Sequence, residues 1–412
     1  MKILFINKHD ISGGAAIWCF RFHKTLERLY NTQNYFLVGI KKSNYPYIFE
    51  TRKRGFQNFV ERGWNFLLQR IGLQYKFFPF STKTILKKTK EIQPDIIFIR
   101  NIHGGYFKTS LLISLSKQAP IVWSLPDMWA FTANAAHTFG DISWKEMRSG
   151  KKEKKNFPKM WIDTGKWLLQ QKKKIYSQSN LTIVTPSRWL YNLAIQSPVF
   201  EGKQILHIPN GIDTNIFYPQ SKTELRKKIN IEENTKVLLF NSEQLFKSPY
   251  KGGKELLDIL ELLHVTTEEK ICLIVIGEGK SEVLQKFSKF DIRMTGYLKD
   301  EKTIIDYLNI ADIFIYPTKA DNLPNTLLEA IACGLPCITF DVGGCGEIVE
   351  NNKNGFLIPP FDKKLFTQRI KELLHNDEMR KQFSFNARKI AEEKYSITTT
   401  AEKYYTLFKS LL

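Results

Sequence analysis

The 412-residue sequence is poor in features that would each define a class of protein. It has only five cysteines, an odd number, which argues against a disulfide framework and predicts reduced thiols. No run approaches the roughly 20 apolar residues that a membrane span needs. The opening MKILFINKHD holds too short an apolar run for a secretory signal. These absences predict a cytoplasmic protein that is soluble or at most bound to a membrane surface.

Acidic residues are scarce in the first half of the chain. Residues 1–205 carry 33 Lys and Arg against 12 Asp and Glu, a net charge of +21, whereas residues 206–412 carry 28 against 29, a net charge of −1. The whole excess of +20 therefore lies in the first half. This asymmetry predicts two domains with different partners, and it predicts a polyanion as the partner of the first.

Short apolar runs alternate with helical patterns along the chain, which is the rhythm of a parallel α/β sheet. The runs lie at 2–6, 94–99, 119–124 and 181–184, and again at 236–240, 271–276, 312–315 and 336–340. Two such series predict two doubly wound domains, residues 1–205 and 206–390. The segment EGKQILHIPNGID is expected to connect them, and a last helix, about 391–412, to cross back onto the first domain. Ligands are expected at the carboxyl ends of the strands.

The segment PTKADNLPNTLLEAIACG, residues 317–334, follows the apolar run 312–315. It predicts a loop that ends at a helix N-terminus, which suits a phosphate or diphosphate. Asp321 lies in the loop, and Glu329 lies about one turn into the helix, where its carboxylate can accept hydroxyl groups of a ribose. The alternative is an ordinary loop with Glu329 as a solvated helix residue.

This segment and others resemble glycosyltransferase family 4, a large group of retaining enzymes with the GT-B fold. The resemblance implies two Rossmann-like domains that face each other across a cleft, and it covers nearly the whole chain. The segments that carry it are NKHDISGGAA, WSLPDMWAFTANAAH, TPSRWLYNLA, HIPNGIDTNIFYP, KGGKELLDIL, TGYLKDEKTIIDYLNIADIFIYP and ADNLPNTLLEAIACGLPCITFDVGGCGEIVENNKNGFLIPP.

The resemblance also implies roles for residues around the predicted helix start. The family's Glu-x7-Glu pair is here Asp321-x7-Glu329, so the first acid is one methylene shorter. Glu329 is expected to bind the nucleotide ribose and Asp321 the hydroxyl groups of the transferred sugar. The backbone amides of Leu323, Asn325 and Thr326 are expected to hold the sugar and the diphosphate.

Basic and glycine residues are expected to complete this donor site. Lys251 stands before two glycines and can act as a point charge against a leaving diphosphate. The family usually has an Arg a few residues upstream, and Lys247 is the possible substitute, although a solvated loop lysine is the plainer interpretation. Gly13 and Gly14 resemble the first Gly-rich loop of the family, which closes over the diphosphate, whereas the alternative is a simple tight turn.

His103 and Asp127 follow two predicted strands of the first domain, where a sugar would lie. Many relatives have a His directly before the second of these positions, but Pro126 stands there in this sequence. Either His103 takes part of that role, or a backbone carbonyl does, or the chemistry does without it. A lone His is more often a structural hydrogen-bonding residue.

No two acids are spaced as Asp/Glu-x-Asp/Glu, the pattern with which GT-A transferases commonly hold a divalent metal. The expectation is therefore a metal-independent site in which Lys251 and helix-terminal amides stabilise the leaving group. No cofactor is expected beyond the substrate nucleotide sugar, which the resemblance makes a UDP-sugar.

Aromatic residues accompany the basic ones between residues 56 and 72, FQNFVERGWNFLLQRIG. A basic helix with aromatic anchors is typical of an element that lies in a membrane interface. The alternative is a helix packed on the sheet with solvated charges. For the first domain as a whole we expect an anionic membrane surface as partner.

The resemblance implies retaining transfer of a hexose-type sugar to a lipid-linked or growing envelope glycan, at the inner face of a bacterial plasma membrane. Two other functions stay open. One is an epimerase or phosphorylase of the same fold. The other is a basic nucleic-acid-binding protein, although no nucleic-acid-reading motif is present and no nucleic acid is expected as partner.

Overall fold

The structure is a computed structural model that describes residues 1–150, 161–244, 248–279, 283–298 and 300–412. Its contacts divide the chain into two compact units. Unit 1 consists of Met1–Pro209 with Thr398–Leu412, and unit 2 consists of Asn210–Ile397. The sequence analysis puts the corresponding limits at 205/206 and at about 391. Predicted Lys247 lies outside the described residues.

Unit 1 is built on a seven-stranded sheet in which every described pairing is parallel, in the order β3-β2-β1-β4-β5-β6-β7. Its strands are β1 (Lys2–His9), β2 (Gln33–Ile40), β3 (Ile48–Glu50), β4 (Ile96–Ile99), β5 (Ile121–Ser124), β6 (Leu181–Thr185) and β7 (Gln204–His207). All residues of β4, β5 and β6 are buried, as expected of parallel strands that are covered on both faces.

Except between β2 and β3, consecutive strands of this sheet are connected by helices. They are α1 (Gly14–Tyr30), α2 (Phe56–Arg70), α3 (Pro79–Ile92), α4 (Leu111–Ser116), α5 (Gly165–Ser177) and α6 (Arg188–Ala194), with short 3-10 turns at Met128–Ala130, Ser143–Glu146 and Pro198–Phe200. All eight tryptophans of the sequence lie in this unit, so tryptophan fluorescence reports on unit 1 alone.

Unit 2 repeats the architecture with a six-stranded parallel sheet in the order β10-β9-β8-β11-β12-β13. Its strands are β8 (Lys236–Gln244), β9 (Ile271–Glu278), β10 (Asp291–Gly296), β11 (Ile313–Tyr316), β12 (Cys337–Phe340) and β13 (Gly355–Ile358). Its helices are α7 (Lys222–Lys228), α8 (Gly253–Thr266), α9 (Glu301–Ile310), α10 (Asn325–Ala332), α11 (Cys345–Ile348), α12 (Lys363–His375) and α13 (Asp377–Tyr395).

The last helix, α14 (Ile397–Ser410), belongs almost entirely to unit 1. Tyr404 and Phe408 are fully buried in the same core cluster as Phe98 of β4. The hydroxyl of Tyr404 also donates to Ser124 Oγ at the end of β5, at 3.1 Å. The end of the chain therefore completes the core of the unit in which the chain begins.

The structure confirms two parallel-sheet α/β units, and each apolar run singled out in the sequence contributes to a strand. One interpretation was wrong: the expected connector after residue 200 contains β7, which pairs with β6 at the edge of the first sheet. The side chains of β7 are half-buried or exposed, as an edge strand allows, so its apolar signal is weak.

Candidate functional site

Three neighbouring strands of the second sheet, β8, β11 and β12, send their following loops to one edge. The carbonyl of Tyr250 accepts hydrogen bonds from the amide of Lys319 at 2.7 Å and from the hydroxyl of Thr318 at 3.0 Å. The amide of Gly344 donates to the carbonyl of Asp321 at 3.2 Å. These bonds tie the loops to one another at the carboxyl ends of the strands, where α/β sheets bind ligands.

Two glycines make this close approach possible. Gly252 has a φ of +71°, and a Cβ there would lie 1.8 Å from the carbonyl oxygen of Pro317. Gly343 has a φ of +59°, and a Cβ there would lie 1.7 Å from the carbonyl oxygen of Asp321. A side chain at either position would therefore push the loops apart.

The ammonium of Lys251, the carboxylate of Asp321 and the hydroxyl of Tyr316 meet at this edge. Lys251 Nζ lies 2.6 Å from Asp321 Oδ2 and 3.2 Å from the Tyr316 hydroxyl, which itself donates to Asp321 Oδ2 at 2.7 Å. The side chain of Lys251 is 39% exposed and that of Asp321 is 16% exposed. The ion pair is thus assembled but remains accessible to a ligand.

The pair also shifts the titration of its members. Burial by itself disfavours the charged ammonium, but the charges of Asp321 and Tyr316 and the hydrogen bonds to both together outweigh it and raise the pKa of Lys251. Burial, followed by the charge of Asp321, raises the pKa of the Tyr316 phenol. Lys251 therefore carries a full positive charge, and Tyr316 acts as a hydrogen-bond donor, throughout the physiological pH range.

Helix α10 begins directly after this loop. Pro324 occupies the N-cap position without a side-chain cap, and its carbonyl accepts from the amides of Leu327 and Leu328, at 3.1 and 3.3 Å. The first amides of a helix lack intrahelical acceptors and mark the positive end of its dipole. The buried hydroxyl oxygen of Thr326 has no hydrogen-bond partner among the described residues. This helix start suits an anionic, hydroxyl-bearing ligand.

The remaining predicted residues of this region lie on either side of that start. Leu323 is buried in the preceding loop, and Asn325 is the first residue of α10. Glu329, on the second turn, is 7% exposed, so it is not the solvated helix residue of the alternative interpretation.

A cavity of about 250 Å³ adjoins the start of α8. Gly252, Gly253, Lys254 and Lys319 are among the residues that line it. The N-cap of α8 is Gly252, which has no side chain to cap the helix. The Lys-Gly-Gly segment therefore provides a second uncapped helix start beside basic side chains.

In unit 1 the glycine pair lies between β1 and α1. Gly13 has a φ of +83° and caps α1, and its carbonyl accepts from the amides of Ala16 and Ile17, each at 3.0 Å. Gly14 is the first residue of the helix. A Cβ on Gly13 would meet open space, so its backbone angle and not crowding favours glycine there.

His103 and Asp127, separate features of the sequence, form a pair in unit 1. His103 Nε2 lies 2.7 Å from Asp127 Oδ2, and each side chain is 23% exposed. Asp127 Oδ1 accepts from the amide of Trp129 at 2.9 Å, and the ring of Trp129 lies 5.4 Å from that of His103. The carboxylate is therefore fixed by the backbone on one side and orients the imidazole on the other.

Residues 221–390 match the family model described as "Glycosyl transferases group 1". This part of the chain is therefore similar to the group 1 glycosyltransferase domain. All the predicted unit 2 site residues that the structure describes fall inside this match, and the domain accounts for most of unit 2.

Two curated relatives illustrate what the chain is similar to. N-acetyl-alpha-D-glucosaminyl L-malate synthase of Bacillus anthracis is 24% identical over 214 residues, which cover 51% of the chain and 55% of that protein. N,N'-diacetylbacillosaminyl-diphospho-undecaprenol alpha-1,3-N-acetylgalactosaminyltransferase of Campylobacter jejuni is 25% identical over 207 residues, which cover 49% of the chain and 53% of that protein. The chain thus spans about half the length of the curated relatives it matches.

Solved structures extend the likeness to both units. Anabaena HepE, whose crystal structure is in complex with UDP, matches with a TM-score of 0.67 at 16% identity and covers 100% of both chains. This similarity, together with the two parallel sheets, shows that the chain has the GT-B type of fold.

The described residues contain neither a cluster of metal-binding side chains nor a membrane-spanning helix. Within them, no three or more His, Cys, Asp or Glu side chains gather as a possible metal site. In the same part of the chain, no helix combines the length and hydropathy needed to cross a membrane.

The main residue that sequence reasoning missed in the glycosyltransferase domain is Tyr316. It is the last residue of β11, and the sequence pattern marks it only as the end of an apolar run. A polar aromatic residue at the end of a strand, directly before the predicted loop, was a possible signal. Its contact with Lys251, however, joins residues 65 positions apart and is not visible in the sequence. Trp129, whose amide donates to Asp127 Oδ1, was also missed, although this contact is local and an Asp that caps a short helical turn is a recognisable signal.

Proposed function

We propose that the protein is a retaining, metal-independent glycosyltransferase that moves a hexose-type sugar from a UDP-sugar to a lipid-linked or growing cell-envelope glycan. The observation that carries the proposal is the accessible Lys251–Asp321 pair, held against Tyr316 beside the start of α10, inside the group 1 domain. A cation and a helix N-terminus together favour a diphosphate.

Each unit 2 residue has a defined task in this proposal. Lys251 and the amides of Leu323, Asn325 and Thr326 hold the diphosphate and the sugar, and Glu329 binds the ribose. Asp321 both neutralises Lys251 in the free protein and contacts sugar hydroxyl groups in the complex. Because its side chain is one methylene shorter than Glu, the hydroxyl of Tyr316 helps to fix its direction.

The unit 1 residues extend the proposal beyond the domain that the family model matches. The loop at Gly13 and Gly14 is assigned to the diphosphate, in keeping with the family resemblance. His103 is assigned to a sugar hydroxyl, with Asp127 as the residue that orients its ring at 2.7 Å. In this proposal Nε2 carries the proton and donates to Asp127, so Nδ1 is the nitrogen left for the sugar hydroxyl. An Asp selects one His tautomer in this way.

The bond changes balance without a protein nucleophile. The bond between the anomeric carbon and the phosphate oxygen breaks, and the acceptor hydroxyl oxygen bonds to that carbon from the same face. The acceptor proton passes to an oxygen of the departing diphosphate. Lys251 and the N-terminus of α10 stabilise the charge that develops on the leaving group.

The name of one relative and the charge of unit 1 support the proposed acceptor and location. The Campylobacter relative is named for a diphospho-undecaprenol acceptor, which is lipid-linked. The net charge of +21 over residues 1–205 favours an anionic membrane surface as a further partner. We therefore propose peripheral association with the inner face of a bacterial plasma membrane.

A thermal-shift screen of UDP-, GDP- and dTDP-sugars tests the donor. A ligand at 100 times its dissociation constant should stabilise the domain that binds it by about 2.7 kcal/mol. We expect a shift with a UDP-hexose and little shift with GDP- or dTDP-sugars. A shift only with duplex or single-stranded DNA would instead favour the nucleic-acid-binding alternative.

Product analysis then tests the reaction class. With the stabilising donor and an undecaprenyl-diphosphate-linked sugar, we expect UDP release that depends on the acceptor and an α or β linkage that matches the donor anomer. Conversion of the donor sugar without an acceptor would show an epimerase. Release of a sugar phosphate would show a phosphorylase, and inversion of the anomer would refute the retaining mechanism.

A further inference from the structure

Helix α2 exposes its large apolar side chains and buries a charged one, the reverse of the usual pattern. Large apolar side chains are exposed along it: Phe56 (74%), Phe59 (79%), Trp64 (49%), Phe66 (54%) and Leu67 (53%). Its one buried residue is an acid, Glu61, which is fully inaccessible. A helix that merely covers the sheet would bury its apolar stripe and expose its charges. The structure therefore contradicts the packed-helix alternative for residues 56–72.

Polar contacts hold the helix in this orientation. Glu61 Oε2 lies 2.9 Å from Arg52 Nη1 and accepts from the Ser81 hydroxyl at 2.6 Å, while its Oε1 accepts from the Ser81 amide at 2.8 Å. Arg52 Nε donates to Asn58 Oδ1 at 3.0 Å, on the same inward stripe of α2. The inward face is thus specified by hydrogen bonds, and the apolar face is left outward.

Arg52 and its contacts with Glu61 and Asn58, called the Arg52 clamp below, also reach the loop that carries His103. Arg52 Nη1 donates to the carbonyl of Gly105 at 2.7 Å, in addition to its ion pair with Glu61. One guanidinium therefore fixes α2 to the segment that contains His103.

Charge indicates what covers this face. Between residues 51 and 72 the sequence has five basic residues and a single acid, Glu61, which Arg52 already neutralises. Lys53, Arg54 and Arg62 are exposed, and Arg70 lies over the ring of Phe66 with its Cζ 5.0 Å from the ring centre. Aromatic side chains flanked by arginine and lysine match the headgroup region of an anionic bilayer.

We propose that α2 is a lipid-docking helix that inserts Phe56, Phe59 and Leu67 into the interface of an anionic phospholipid bilayer. These three residues share one stripe because they are spaced by three and eight positions. This inference rests on the proposed function, because it identifies α2 as the surface that contacts the proposed membrane partner. Its test measures lipid binding and does not depend on sugar transfer. In the docked state the Arg52 clamp would hold the His103 loop at a fixed height above the lipid surface.

Vesicle flotation with the full chain tests the proposal. Vesicles of phosphatidylcholine with phosphatidylglycerol should carry the protein, and vesicles of phosphatidylcholine alone should carry much less. The double variant Phe59→Ser/Leu67→Ser should bind at least roughly tenfold more weakly, because two large side chains lose their burial in the interface. The matched control is Phe385→Ser, which removes a 66% exposed aromatic residue from unit 2 and should leave binding unchanged.

Further measurements keep the outcomes distinct. Circular dichroism and tryptophan fluorescence should show both variants folded. Equal binding by the double variant, or equal loss in Phe385→Ser, would overturn the docking role of α2. Sedimentation that shows a wild-type dimer converted to a monomer by the double variant, without vesicle binding, would assign the face to a second copy instead. UDP-sugar binding should be unaffected in every variant, so failure here does not bear on the donor site.

Discussion

Each unit contains a close pair of a cation and a carboxylate, and the two pairs differ in exposure. Arg52 and Glu61 in unit 1 are 2.9 Å apart, with side chains 5% and 0% exposed. Lys251 and Asp321 in unit 2 are 2.6 Å apart, with side chains 39% and 16% exposed. The first pair is closed off by Ser81 and Gly105, whereas the second lies at the open carboxyl edge of a sheet.

The difference teaches that distance alone does not assign a role to an ion pair. A fully buried pair cannot lose one partner without leaving an uncompensated charge, so it serves the fold. A half-exposed pair gains little stability, since water already screens it. Its charges can instead be redirected to a ligand, so the exposed fraction separates the structural pair from the proposed functional one.

The largest expected effect is on stability, from Glu61→Ala. It leaves the Arg52 guanidinium buried without its carboxylate and should lower the free energy of unfolding by roughly 3–5 kcal/mol. Urea unfolding followed by tryptophan fluorescence measures this, because all tryptophans lie in unit 1. The matched change Glu91→Ala removes the exposed partner of Lys88 and should alter the unfolding curve little. Equal effects of the two changes would remove the distinction drawn from burial.

The next effect is on transfer, from Lys251→Ala and Glu329→Ala. Lys251→Ala should lower kcat by about 10²- to 10³-fold, the loss typical of one electrostatic contact to a transition state. Glu329→Ala removes the proposed ribose contact and should act mainly through a lower kcat/KM. The unfolding curve of unit 2 should move little for Lys251→Ala, as far-UV circular dichroism can show. Lys302→Ala, on the exposed side of α9, is the control and should transfer normally. Near-normal turnover in both site variants would remove the donor-site assignment.

The two units should lose stability at different pH values as the solution is acidified. Burial lowers the pKa of His23 from 6.5 to about 3, so below pH 6.5 the unfolded chain binds a proton that the folded unit does not. Stability is thus intact above pH 6.5 and falls toward pH 3, by up to ~1.4 kcal/mol per pH unit. In unit 2, Asp312 is buried, but Lys222 and Arg226 lower its pKa below 3.8, so its contribution is lost only under that value.

Tryptophan fluorescence and far-UV circular dichroism, recorded from pH 7 to pH 3 in moderate urea, check this order. Unit 1 should unfold first, and His23→Phe should reduce the pH dependence of its fluorescence transition. The aromatic surroundings of His23, which include Phe20 and Phe36, suit that replacement. A transition that keeps the same slope in the variant would assign the acid sensitivity to other groups.

The smallest expected effect is from Tyr316→Phe. It removes the hydrogen bond to Asp321 and the longer one from Lys251 but keeps the ring and the Lys251–Asp321 ion pair, so we expect a loss of about 0.5–1.5 kcal/mol. We expect a roughly 2- to 10-fold loss in kcat/KM with little change in Tm. Combining it with Asp321→Asn should add less than the separate losses, because both changes affect the same bond. Full additivity would show that the hydroxyl does not act through Asp321.

Several parts of the fold and site were predictable from local sequence. Continuous apolar runs such as 271–276 and 312–315 became fully buried parallel strands because only a strand covered on both faces tolerates such a run. The start of α10 was predictable from Pro324 and the apolar spacing that follows it. The edge strand β7 was not, since its exposed residues weaken the pattern.

The sequence by itself determined the two α/β units, the excess of positive charge in the first half, and the family segments that contain Lys251 and Glu329. Only the tertiary structure decided which side of α2 faces outward, that Tyr316 joins Lys251 and Asp321, and that His103 meets Asp127. The physical reason is that periodicity encodes contacts between near neighbours, whereas these pairings join residues on different loops. Their geometry exists only once parallel strands bring those loops to one edge of a sheet.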